Sequence, residues 1–105
     1  STVRPVIFAA SQVLANPTAF AEVVDTLKGD QLAVILPASD AERASVLDLQ
    51  EVKARGEKVV ITPTVLASND FLKAILEEAA KNPTGISLTD ALSSPSVEAA
   101  RRGAV

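Results

Sequence analysis

The stretch Gln31-Leu-Ala-Val-Ile-Leu-Pro37, then the polar corner Ala38-Ser39-Asp40, a helix-length segment to Gly56 and Lys58-Val-Val-Ile-Thr-Pro63, decides the fold. Two short apolar runs without polar alternation flank a helix. That pattern makes a βαβ unit, in which the strands lie parallel and the crossover is right-handed. Buried strands of this kind are expected where helices cover both faces of a parallel sheet.

Working outward toward the N-terminus, Arg4-Pro-Val-Ile-Phe-Ala-Ala10 reads as another strand. Pro5 stands at its start, where a missing N–H does least harm. Ser11–Ala15 reads as a connection. Asn16 then suits an N-cap and Pro17 the first helical position. Phe20, Val23, Val24 and Leu27 fall on one helical face, with Lys28 in the last turn and Gly29 placed for a left-handed C-cap.

The second helix, capped by Ser39 or Asp40 and running to Arg55, has a mixed pattern. Ala41, Ser45, Leu49 and Val52 form one stripe; Ala44, Leu47 and Ala54 form another. Two stripes suit a helix lying in a groove between the sheet and a neighbouring helix; the alternative leaves Leu47 and Ala44 open to a partner. Lys53, Arg55 and Lys58 gather at the helix C-terminus, an end that repels anions, and read as solvated charge.

Toward the C-terminus, Ser68 or Asn69 caps a third helix with Phe71, Leu72, Ile75, Leu76 and Ala79 on one face. Asn82-Pro-Thr-Gly85 ends it. Ile86-Ser-Leu88 is a short fourth strand, Thr89–Leu92 a helical turn, and Ser94-Pro95 opens a last helix closed by Arg101, Arg102 and Gly103. Residues 83–105 carry the weakest pattern.

The expectation is one α/β domain over 1–105: three layers, α/β/α, around a small parallel sheet of three to four strands, flavodoxin-like or Rossmann-like. The first choice of strand order is 2-1-3, with the tail strand beside strand 3; the alternative is 3-2-1.

Composition narrows the function more than any motif does. The chain has 105 residues, 48% hydrophobic and 22% charged, as ordinary water-soluble domains have. It lacks cysteine, histidine, methionine, tyrosine and tryptophan. Without cysteine there is no disulfide or thiol nucleophile, and the commonest transition-metal ligands and neutral-pH acid–base group are missing. No cofactor is expected, and the residue types point away from an enzyme. A net charge of −3 and only three Phe argue against a nucleic-acid groove. No apolar run reaches the roughly 20 residues of a membrane span. Ser-Thr-Val-Arg-Pro lacks the shape of a signal peptide, which suggests a cytoplasmic protein.

Ligands of open α/β sheets bind outside the carboxyl ends of the strands. That edge carries Ser11 and Gln12, Ser39 and Asp40, Thr62 and Thr64, and then Ser68, Asn69 and Asp70. Small hydroxyl, amide and acid groups beside helix N-termini suit an anion or a polar small molecule. The first reading of each, however, is a helix cap or a turn.

Known signatures are missing. A phosphoacceptor receiver has acids after its first strand and an Asp after its third; here those places read Ala9-Ala-Ser-Gln12 and Thr62-Pro-Thr64. There is no GxxxxGK[ST] and no GxGxxG. The step Thr62-Pro63-Thr64 lacks the cysteine pair of a thioredoxin-like site.

The leading functional expectation is a non-catalytic regulatory or protein-interaction domain, cut from a longer chain, with a protein partner, a missing domain or a weak homodimer. The alternatives are a small-molecule or phosphoester-binding domain using the carboxyl edge, and an engineered scaffold without evolved function.

Overall fold

In a computed structural model, described over residues 2–65 and 69–103, four strands form one mixed sheet in the order β3-β2-β1-β4. The strands are β1 (Arg4–Ala9), β2 (Gln31–Leu36), β3 (Val59–Ile61) and β4 (Ile86–Ser87). The helices are α1 (Ala10–Ala15), α2 (Pro17–Thr26), α3 (Asp40–Leu47), α4 (Gln50–Lys53), α5 (Asp70–Ala80), α6 (Leu88–Ser93) and α7 (Pro95–Gly103), with a 3-10 turn over Gly56–Lys58. Among the described residues no helix is long and apolar enough to cross a membrane.

The βαβ reading holds: β1–β2 and β2–β3 are parallel, with Phe8 opposite Ile35 and Val34 opposite Val60. The preferred order 2-1-3 does not; the first three strands take the alternative 3-2-1. The tail strand lies beside β1, not β3, and it is antiparallel, Ile86 opposite Ile7 and Ser87 opposite Val6. The cause lies in the last crossover. The Val65 N–H is bonded to Pro37 O, just past the end of β2, and Gln12, at the carboxyl end of β1, donates to Ala80 O at the end of α5. The chain thus reaches the first strand at its carboxyl end, and from there β4 can only run back down.

Strand side chains alternate between two core clusters on opposite faces of the sheet. Phe8, Ala33 and Ile35 join Val13, Phe20, Val24, Val46 and Val52 on one face. Ile7, Ala9 and Leu36 join Val65, Ile75, Ala79 and Val97 on the other. Phe8 and Phe20 meet edge to face, with centroids 4.9 Å apart, a favourable aromatic geometry.

Three local expectations are corrected. Ser11–Ala15 is not a connection but most of α1, which leaves β1 directly, with Ala9 as an N-cap that makes no side-chain bond. Burial of Ala10 and Val13 holds this short helix in place of a cap. Gly29 is no left-handed cap: α2 ends at Thr26, where Leu27 turns extended (φ −66, ψ 139) and buries its side chain, and Gln31 Oε1 accepts the Lys28 N–H. The helix expected from 40 to 55 is broken at Leu49, which is extended (φ −68, ψ 130). Its core residues are Val46, Leu49 and Val52, whereas Ala41 and Ser45 are exposed. In an unbroken helix Val46 and Val52 would sit about 120° apart around the axis. The break lets both reach the same core.

Candidate functional site

The carboxyl edge holds its polar groups in local bonds. Ser39 Oγ accepts the Glu42 N–H at 3.1 Å, and Glu42 Oε1 accepts the Ala38 N–H at 2.9 Å. This is a variant of the reciprocal capping box, legible in Ser39-Asp-Ala-Glu42 though not read there. Thr64 Oγ1 donates to Asp40 Oδ1 at 2.6 Å. Thr62 Oγ1 donates to Pro63 O at 2.9 Å. Asn69 Oδ1 accepts the Leu72 N–H and so caps α5, while Ser68, the other expected cap, lies outside the described residues.

Ser39, Asp40, Thr62 and Thr64 thus share the β2/β3 corner. Gln12 is tied to the end of α5, and exposed Ser11 makes no side-chain hydrogen bond among the described residues. Asp70 lies in the first turn of α5. No buried side-chain polar atom lacks a partner among the described residues. Nor do those residues include a group of three acidic, His or Cys side chains placed to hold a metal ion.

Sequence reasoning missed one residue at this corner. In the parallel ladder, Thr62 N–H donates to Ile35 O at 3.1 Å, so Thr62 O faces position 37, where a residue of β2 would normally return an N–H. Position 37 is proline and has none. Arg43, half-buried on α3, supplies the donor instead, its Nε 3.1 Å from Thr62 O. No local pattern links positions 43, 37 and 62; the signal would have been a proline ending a buried strand.

The basic end of the second helical segment is also paired. Arg55 grips Asp25 through two bonds of 2.8 and 3.0 Å and reaches Glu51 O. Its hydrogen bond holds the Asp25 carboxyl below its ordinary pKa, and the same bond raises that of Arg55. Lys58 Nζ turns to Leu27 O and Lys53 lies 3.4 Å from Asp48. This cluster has little charge left unmatched.

A different surface carries apolar area. β3 is an edge strand, and Val60 is 42% exposed and nearby Leu47 44% exposed. On the face of the sheet opposite to Val60, a groove of about 290 Å³ beside Leu47 is floored by Val52, Val59 and Ile61, with Arg43 and Lys53 at its sides. The strand's outward groups follow from the register. Thr62 and Val60 turn N–H and C=O toward β2, so Val59 and Ile61 turn theirs outward.

No family model matches the chain, and no curated protein or solved structure is significantly similar to it.

Proposed function

We propose that this chain is a non-catalytic protein-interaction domain that binds a partner through the β3 edge and the adjoining groove. The observation that carries the reading is the coincidence, on one edge, of outward main-chain groups at Val59 and Ile61 with exposed Val60 and Leu47. An exposed strand edge offers main-chain hydrogen bonds, while side-chain pockets add selectivity. The hydroxyl and amide groups of the carboxyl edge, by contrast, mostly cap helices and close turns, which weighs against the phosphoester-binding alternative. The architecture is read as three layers with the strand order of a Rossmann-like half, the fourth strand reversed. A cysteine-free chain of this composition suits a cytoplasmic setting.

A photo-crosslinking side chain placed at position 60, compared with one at exposed Thr18 on α2, tests the reading in cells. Adducts at 60 that are absent at 18, and that Leu47→Asp abolishes, are expected. Equal adducts from both positions would refute it.

A further inference from the structure

Resting on that reading, we propose that the groove beside Leu47 takes an acidic peptide segment of a partner protein. An apolar side chain of that segment enters between Arg43 and Lys53, with carboxylates on either side of it. The lining joins two chemistries. Leu47, Val52, Val59 and Ile61 supply apolar surface, and Gly56 adds no side chain to fill it. Arg43 and Lys53 complete the lining, and among the described residues no acid belongs to it. A volume of about 290 Å³ stands at the lower end of ligand pockets, which run to roughly 300–1,000 Å³, so the groove suits peptide side chains rather than a large cofactor.

Both cations have charge to offer. Arg43 commits Nε to the uncharged Thr62 O and has no carboxylate partner among the described residues. That bond holds the planar guanidinium in place, so its terminal nitrogens can take a carboxylate with little further loss of side-chain freedom. Lys53 lies 3.4 Å from Asp48, but the two side chains are 53% and 89% exposed. Such a pair is weak, and a second carboxylate can share the ammonium. Against a net charge of −3 for the whole chain, this locally cationic rim gives an acidic segment both its place of attachment and its orientation.

NMR titration of the whole chain tests this with three probes: a peptide with leucine and phenylalanine between pairs of aspartates, the same peptide with lysines in place of the aspartates, and decanoate. The acidic peptide should shift the amides of Leu47, Val52, Gly56 and Ile61, the lysine peptide should bind at least about 10-fold more weakly, and decanoate should also bind more weakly. Gly56→Leu should crowd the groove and weaken the acidic peptide by at least about 10-fold without unfolding the chain, since a Cβ at that position has nothing within 4 Å. Lys53→Glu should weaken the acidic peptide about 3-fold or more and strengthen the lysine peptide. Equal binding of the two peptides overturns the proposal, as do shifts centred elsewhere, no shift at about 1 mM peptide, or binding indifferent to both substitutions. Shifts with decanoate alone overturn the peptide and leave the groove to an apolar carboxylate. If the proposal fails while position 60 still gives its specific adducts, only the acidic segment falls; loss of both signals overturns the interaction reading too.

Discussion

Gly85→Ala tests the piece of structure that turns the chain back along β1. Gly85 has φ +84, and a Cβ built there would lie 2.7 Å from Phe8 Cζ, 2.9 Å from Phe8 Cε2 and 2.8 Å from Val6 Cγ1. The left-handed backbone alone costs an L-residue about 1–2 kcal/mol. Phe8 is fully buried and packed edge to face on Phe20, so its ring has no open space to move into. Overpacking of that kind adds about 1–3 kcal/mol. The expected loss is therefore about 2–5 kcal/mol, a large part of the roughly 5–15 kcal/mol that holds a domain together. In urea, with a slope of about 1.5 kcal/mol/M, the midpoint should fall by about 1.3–3.3 M. Phe8→Leu removes both offending ring atoms. In the Phe8→Leu background, Gly85→Ala should cost less than in wild type by about 0.5–3 kcal/mol, the range of couplings between touching residues. A Gly85→Ala variant within about 0.5 kcal/mol of wild type would refute both the backbone and the packing argument. An unchanged cost in the double variant would refute the packing alone.

Two further outcomes follow. Val46→Ala, at a fully buried position, should cost about 1.5–3 kcal/mol, while Leu47→Ala should stay within about 0.5 kcal/mol in dilute solution; the reverse ranking of urea midpoints would contradict this packing of α3. Arg55 holds the Asp25 carboxyl below its ordinary pKa, so the stabilisation by this pair is present above the usual carboxylate range and lost as pH falls through and below it. The midpoint difference between wild type and Asp25→Asn should be small, positive at neutral pH, lower in high salt, and closed near pH 2; a difference that grows in acid would contradict the assignment.

The elements written in short-range pattern were legible. Asn16-Pro17 opens α2, the face Phe20, Val23, Val24 and Leu27 packs inward, and the two apolar runs around α3 and α4 pair in parallel through β2. What escaped depended on contacts between distant residues. Ser11–Ala15 carries no cap and is helical because Val13 finds the core. The break at Leu49 exists so that Val46 and Val52 reach one cluster, a demand that stripe-counting along a single axis does not see. Strand order depended on Gln12 meeting Ala80, two residues from opposite parts of the chain. At the candidate site, the capping roles of Ser39 and Asn69 could be read locally, but Arg43 replacing the donor missing at Pro37 could not. The β3 edge became visible only once β2 had β1 on its other side.

The reversed fourth strand also sets an order of assembly. β1 and β2 come from neighbouring parts of the chain and zip over six residues each, while β4 adds two residues brought from beyond α5. Closing the longer loop costs more chain entropy and returns fewer bonds. The β1–β4 seam is therefore made last and released first, in a partial opening that leaves the β1–β2–β3 ladder standing. Amide exchange at Ile7 and Ile86, which face each other across that seam, should outpace exchange at Phe8 and Val34, whose N–H groups lie in the β1–β2 ladder. During each such opening β1 becomes a bare margin with Phe8 beneath it, so the residue most exposed to misassembly in this protein lies at the centre of its native core, not at its rim.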